Sequence, residues 1–189
     1  MADLFGYDFP LLTLSLEAFN PPAPVLDLGG GGEGVIGQAV QSGVIAIDRR
    51  LDEWQEAATG SDKVVMDARR LGFAEASFPT LTSFFTLMYI ADPADQAQVF
   101  AEAARVLRPG GILHLWEVTL PEVLPAGTDY FVVNLRYRIG GRETGTGYGM
   151  RWPEGRRDSA HYVALAEQAG LACVRSEALG YCFYLQFQK

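Results

Sequence analysis

The chain is poor in basic residues, cysteine, histidine and long apolar runs, and each shortage closes off a class of function. Fifteen Lys and Arg face 23 Asp and Glu, a formal net charge of −8 at pH 7. A surface that grips a phosphate backbone needs clustered cations, so nucleic acid is not an expected partner. The two cysteines, Cys173 and Cys182, sit in separate apolar segments and fit no common zinc spacing; they read as core thiols. The two histidines, His114 and His161, lie far apart with no carboxylate or thiol at ligand spacing, so no metal site is expected. No uninterrupted apolar run of about 20 residues is present, so no bilayer span is expected. The opening Met1-Ala2-Asp3-Leu4-Phe5 has no basic patch ahead of an apolar stretch, and no secretory signal is expected either. A cytoplasmic location follows by elimination.

What is present is an alternation of short apolar runs with helical stretches. At 189 residues the chain suits one domain, 1–189. Val25–Leu28, Val44–Asp48, Val64–Asp67, Leu81–Leu87 and Ile112–Val118 read as strands. Between them lie a glycine loop with a helix to about Ser42, a helix over Leu51–Thr59, and a loop or helical turn over Leu71–Phe78. Gln96–Leu107 places Val99, Ala103, Val106 and Leu107 on one helical face, and Pro109-Gly110-Gly111 stops it. Strand alternating with helix at this pace predicts an α/β, Rossmann-like, doubly wound and mostly parallel sheet covered on both faces. The order breaks at Pro121. Asp129–Ile139 and Arg142–Trp152 read as a β-hairpin around Gly140-Gly141, inserted within residues 121–158. A last helix, Ser159–Gln168, leads to strands at Ala172–Ser176 and Tyr181–Gln188.

The chemistry concentrates at strand ends. Asp27 stands two residues ahead of the run Gly29-Gly30-Gly31-Gly32, at the carboxyl end of the first strand. Glycines there let the chain turn tightly and let a ligand approach the backbone. Asp48 ends the second strand and Asp67 the third. A nicotinamide dinucleotide site usually wants its acid at the second strand only and brings a pyrophosphate to the helix start. Asp27 would repel that pyrophosphate; it suits a cation such as an α-ammonium. The pattern therefore favours a nucleoside that bears an amino acid.

These residues carry a resemblance. Val25-Leu26-Asp27-Leu28-Gly29-Gly30-Gly31 resembles the first motif of class I S-adenosylmethionine-dependent methyltransferases. Ile47-Asp48 resembles their ribose-binding acid, and Met66-Asp67-Ala68 the position that meets the adenine amino group. Arg105–Leu113, with its Arg-Pro-Gly-Gly centre, resembles their helix-to-fifth-strand signature. The likeness runs in order over about residues 24–120 and implies a seven-stranded sheet whose last strand is antiparallel. It implies S-adenosyl-L-methionine as cofactor, held by Asp27, Gly29, Gly30, Gly31, Asp48, Arg49, Asp67, Ala68 and Phe84. Three departures stand out: Glu33 is an extra residue ahead of Gly34, Pro79 replaces an Asp often found before the fourth strand, and 24 residues ahead of the first strand are few to roof a cofactor.

Methyl transfer from a sulfonium needs alignment more than acid–base help, and a base matters only for an acceptor protonated at neutral pH. Glu117, at the end of the fifth strand, is the first candidate, and Tyr89 the second. The hairpin region reverses the charge of the body: residues 130–158 hold six arginines against three acids, a net of +3. Those arginines either clamp an anionic acceptor or pair with acids of the chain. Tyr130, Phe131, Val132, Val133, Leu135, Tyr137 and Ile139 give the hairpin more apolar area than it can leave in water. It is expected to cover either its own site or a second copy in a symmetric homodimer. The expected function is methyl transfer to a small molecule or a protein side chain. The alternatives are a non-catalytic binding or assembly protein of the same fold and a nicotinamide-dependent oxidoreductase.

Overall fold

A computed structural model describes residues 5–52, 61–121 and 125–189. In chain order its elements are β1 (Gly6–Asp8), β2 (Leu12–Ser15), β3 (Val25–Leu28), α1 (Val35–Val40), β4 (Val44–Asp48), β5 (Asp62–Val65) and β6 (Phe78–Phe84). A 3-10 turn (Leu87–Tyr89), α2 (Pro93–Val106), β7 (Leu107–Val118), β8 (Tyr130–Ile139) and β9 (Arg142–Arg151) follow. The chain closes with α3 (Ser159–Gln168), β10 (Ala172–Leu179) and β11 (Cys182–Gln188).

Seven strands form one sheet in the order β10-β11-β7-β6-β3-β4-β5. β3 pairs in parallel with β4 and β6, β4 with β5, and β6 with β7. β11 runs antiparallel to both β7 and β10. This is the expected Rossmann-like sheet with its antiparallel last strand. All four residues of β3 are buried, as a central parallel strand covered on both faces requires.

One face of this sheet is helical. α2 starts behind Asp92, whose carboxylate accepts the Ala94 N–H at 2.8 Å, and α3 starts behind Asp158, which accepts the His161 N–H at 3.0 Å. Each cap is worth about 1 kcal/mol. Val99, Phe100, Ala103, Val106, Tyr162 and Ala166 share a core with Leu26, Leu81, Leu113 and Phe187.

The other face carries α1 and a second sheet. β1 and β2 lie end to end along one edge of β8, both parallel to it, and β9 runs antiparallel along the other edge. Asp8 faces Val132 while Leu12 faces Leu135, so the segment through Pro10 holds one extra residue. Along β8 the side chains alternate: Phe131, Val133, Leu135 and Tyr137 are buried, whereas Arg136 and Arg138 are exposed. The buried set packs with Val35, Ile36, Phe84, Trp116 and Tyr184 of the same chain. The expected hairpin is thus present, and its apolar face is covered by its own domain.

Several boundaries differ from the sequence reading. The third strand ends at Val65, so Asp67 lies in the following loop. The fourth spans Phe78–Phe84, and Leu87 belongs to the 3-10 turn. Helix α2 ends at Val106, ahead of Pro109-Gly110-Gly111, because Leu107 already pairs with Phe78. The register then shifts before Thr80 meets Ile112, and Gly110 takes φ +77° at the irregularity. Most of the helix expected over Leu51–Thr59 lies outside the described residues. Among the described residues no helix is long and apolar enough to cross a membrane.

Candidate cofactor site

The parallel strands deliver β3, β4 and β6 to one edge, where their carboxyl ends meet the glycine loop. Gly29 and Gly30 donate to the Ile47 carbonyl at 2.8 and 3.1 Å, which ties the loop to β4. Both positions exclude a side chain. A Cβ on Gly29, at φ +72°, would lie 2.2 Å from the Thr86 methyl; one on Gly30 would lie 2.3 Å from the Asp27 carboxylate. Gly31 is half-buried next in the loop.

Asp27 is 2% exposed, and its Oδ1 accepts the Thr82 hydroxyl at 2.6 Å. Burial pushes its pKa up to about 7, against the smaller opposing effect of the Thr82 bond. A single hydroxyl compensates little of the charge's lost hydration, so the carboxyl is poised to respond to a nearby cation. Asp48 ends β4 half-exposed and accepts the Arg50 N–H at 2.8 Å; Arg49 is exposed beside it. Asp67 is bound by the Arg69 guanidinium, Nη2 at 2.6 Å and Nε at 3.0 Å, and by the Arg69 N–H at 2.9 Å. Hydrogen bonds from Arg69 lower its pKa, and Arg69 also reaches Asp95 at 2.6 Å. Ala68 is half-buried against the helical core.

Phe84, the last residue of β6, is enclosed, with Phe85 edge-on at 4.9 Å and Trp116 at 5.7 Å. Tyr89 is 46% exposed at the end of the 3-10 turn. Glu117 is different: it is 0% exposed and turned to the helical side, with Oε1 accepting the Leu87 and Met88 N–H groups at 2.6 and 3.2 Å. Its Oε2 meets no hydrogen-bond partner among the described residues. Burial pushes its pKa up to about 8 despite those N–H donors and the Arg157 charge. The structure therefore groups Asp27, the glycines and Asp48 around one loop, sets Asp67 and Ala68 beyond the next strand, and separates the enclosed Glu117 from the exposed Tyr89.

Phe85, which the sequence places with Phe84 and Tyr89 as a candidate wall of the site, lies at this edge, whereas Gln38, Thr146 and Tyr148 beside it carried no sequence signal strong enough to name them. Phe85 adopts φ +52°, a sparsely populated conformation for an aromatic residue and one that clusters at functional sites. Its ring stacks on Tyr148 of β9 at 5.7 Å with a 20° interplanar angle. The Thr146 hydroxyl donates to Glu33 Oε1, and Gln38 Nε2 reaches the Tyr137 hydroxyl at 3.4 Å. Glu33, the extra loop residue, is thus the point where β9 fastens to the glycine loop. Strand alternation alone points Thr146 and Tyr148 inward, which is the one hint the sequence held.

Of the hairpin arginines, Arg136 and Arg138 pair with Glu143 at 3.4 and 3.1 Å, and Arg156 pairs with Asp158 at 2.7 Å. Arg157 is buried and donates to backbone carbonyls.

Residues 26–115 match a family model described as a methyltransferase domain. No curated protein matches at significant similarity. A SAM-dependent methyltransferase from Methanosarcina mazei superposes with TM-score 0.60 at 19% identity, over 87% of this chain and 91% of that one. SAM-bound CalS10 of Micromonospora echinaspora, an amino pentose methyltransferase involved in calicheamicin biosynthesis, gives 0.61 at 18% identity, over 88% and 84%. The [4+2]-cyclase SpnF gives 0.63 at 17% identity, over 92% and 77%.

Proposed function

We propose that the chain is a class I S-adenosylmethionine-dependent methyltransferase, as its methyltransferase-domain match over residues 26–115 and its fold support, and that it methylates a small molecule held between the glycine loop and the β8–β9 hairpin. The observation that carries this reading is the fastening of β9 over the loop, Thr146 on Glu33 and Tyr148 on Phe85. A mouth roofed by strands of its own chain suits a compact acceptor better than a folded macromolecule. The amino pentose specificity of its structural relative CalS10 is in keeping with that size.

The residues fit the cofactor. The cradle at Gly29 and Gly30 admits no side chain, and Asp27 offers a carboxyl that an approaching ammonium would ionise. In this reading Asp48 would accept the ribose hydroxyls, with Arg49 beside it. Asp67 and Ala68 would meet the adenine, with Asp67 sharing its carboxylate with Arg69. When bound, S-adenosylmethionine supplies an electrophilic methyl on a sulfonium. Phe84 and Phe85 back the site with apolar surface and exclude water, while Tyr148 and Tyr89 present hydroxyls from opposite elements. Of the two sequence candidates for a base, Tyr89 reaches solvent, whereas Glu117 is enclosed in the core with its hydrogen bonds spent on backbone N–H groups. If the acceptor has to lose a proton, Tyr89 or water takes it in this reading.

A second reading is favoured by the enclosure of Glu117 and by the fold shared with a [4+2]-cyclase: the fold and cofactor kept, and methyl transfer absent. Thermal shift with S-adenosylmethionine, S-adenosylhomocysteine and NAD is the first test, with stabilisation by the first two only expected. A screen with methyl-labelled cofactor against small amines, phenols, carboxylates and protein extracts is the second. Label in a small molecule supports the proposal; label only in protein overturns the acceptor class; binding without any transfer leaves the second reading standing.

A further inference from the structure

Arg157 is the most unusual buried residue in the chain. It is 1% exposed, and among the described residues no carboxylate lies within ion-pair distance of it. Burying a guanidinium without a counter-ion is costly unless its donors are used well. Two of its donors are used on one segment, Nη1 on the Ile90 carbonyl at 2.8 Å and Nη2 on the Ala91 carbonyl; the guanidinium also lies beside the Tyr162 hydroxyl, and its charge acts on Glu117.

The same segment is gripped from two further elements. Gln96 of α2 donates to the Leu87 and Ile90 carbonyls at 3.0 and 3.1 Å, and its Oε1 lies 2.7 Å from His161 Nε2 of α3. Glu117 of β7 accepts the Leu87 and Met88 N–H groups. The turn so held presses on the glycine loop, because the Thr86 hydroxyl donates to the Leu28 carbonyl at 3.0 Å and its methyl fills the space beside Gly29. Arg157 is itself fixed by a two-way backbone bridge to Leu120, 2.6 and 3.0 Å, just beyond the hairpin.

We propose that Arg157, working with Gln96 and Glu117, is a positioning residue of the cofactor site: it holds the Thr86–Ala91 turn against the glycine loop and so sets cofactor affinity without touching the cofactor. The inference rests on the cofactor reading above. A buried arginine spent on carbonyls of one turn makes sense where that turn must not drift, since three elements fix it while a core leucine or methionine would serve packing alone. The chain of contacts runs from Arg157 to the turn, from the turn to Thr86, and from Thr86 to Gly29.

The test compares Arg157→Met, Arg157→Lys and Thr86→Val in the full chain. Circular dichroism and the thermal midpoint report the fold, calorimetry reports S-adenosylhomocysteine affinity, and amide exchange reports Leu87, Met88, Gly29 and Gly30. Arg157→Met is expected to keep the circular dichroism of the wild type, lose protection at those amides and bind about tenfold more weakly. Arg157→Lys should recover part of the loss. Thr86→Val, which keeps the shape and removes the hydroxyl, should weaken binding without exposing Leu87 or Met88. A folded Arg157→Met within about twofold of wild-type affinity overturns the proposal. If that variant does not fold, wild-type affinity in both Arg157→Lys and Thr86→Val overturns it instead. A wild type that binds no S-adenosylhomocysteine defeats the cofactor reading; unchanged Gly29 and Gly30 protection in Arg157→Met then defeats the positioning role as well.

Discussion

The two faces of the central sheet solve the same problem by different means. The helical face buries its side of the sheet under α2 and α3, with Phe100 against Phe187 at 5.9 Å and Tyr162 beside Phe100 and Phe183. The strap face buries its side under a four-stranded sheet made from the N-terminal segment and the hairpin, with Phe131 against Trp152 at 4.7 Å. The first cover meets the glycine loop through the Thr86–Ala91 turn; the second is fastened to it directly at Glu33. The lesson is that stability and ligand binding should separate on the helical face and travel together on the strap face.

Two phenylalanines break or sharpen that contrast with the largest expected effect. Phe100→Ala and Phe131→Ala each remove a fully buried ring and should each cost about 3–5 kcal/mol in denaturant unfolding. S-adenosylhomocysteine affinity, measured where both variants are folded, should hold for Phe100→Ala and weaken for Phe131→Ala. Equal affinities would mean the strap does not support the site.

Asp48→Ala, at the edge shared by both faces, comes next. A bidentate contact with the ribose should make the substitution cost about 2–3 kcal/mol of cofactor binding with little change in unfolding. Unchanged affinity by calorimetry removes Asp48 from the site.

The same contrast explains what the sequence could carry. The sheet order, the antiparallel last strand, α3 to the residue and both arms of the hairpin follow from periodicity and from the resemblance, because local pattern and tertiary burial agree there. The third and fourth strands slid by two or three residues, since an apolar run such as Leu81–Leu87 reads alike as strand or turn until a carbonyl or carboxylate fixes its end. At Leu87 that fixing group is Glu117, thirty residues away. Partners remote in sequence leave no periodic trace, and the same holds for Tyr148 on Phe85 and for Arg157 on Ile90. The hairpin's apolar face called for a partner, and only the fold identified that partner as α1 and the chain's own sheet.

Each face also buries one acid, Asp27 toward the strap and Glu117 toward the helices. Both keep their protons in the fold to unusually high pH, about 7 and about 8, and would lose them near pH 4 when unfolded, roughly. The folded chain therefore binds the extra protons between those limits, so their contribution to stability is full below the unfolded values and lost as pH rises through the folded ones. His114 and His161, whose pKa values burial lowers, act oppositely, but only below about pH 6.5. Between about pH 6.5 and 8.5 stability should fall by on the order of 2–3 kcal/mol. Glu117→Gln, which keeps an accepting oxygen, and Asp27→Asn should each flatten the slope in thermal melts. S-adenosylhomocysteine affinity should rise over the same range as Asp27 ionises, and Asp27→Asn should remove that rise and leave adenosine affinity little changed. Equal loss for both ligands would confine Asp27 to shaping the loop.

The smallest effect is expected on the outer surface of the strap, where the arginine excess is concentrated. Glu143 pairs with Arg136 and Arg138 at 3.4 and 3.1 Å, yet all three side chains are more than a third exposed. Water and salt screen such pairs, and holding long side chains in one geometry costs entropy that offsets the attraction. Glu143→Gln should change unfolding free energy by no more than about 0.5 kcal/mol, and by less still at high salt. The result bears on what the arginines are for. A small, salt-quenched loss fits a solvated outer face whose cations neutralise their own strand. A larger, salt-resistant loss, or an anionic molecule retained more tightly by the variant, would return the arginines to the role of an anion clamp. Arg157 shares the local sequence of this cluster and none of its surroundings, so the same loss of charge that the surface absorbs at Glu143 should be felt at the site when it occurs at Arg157.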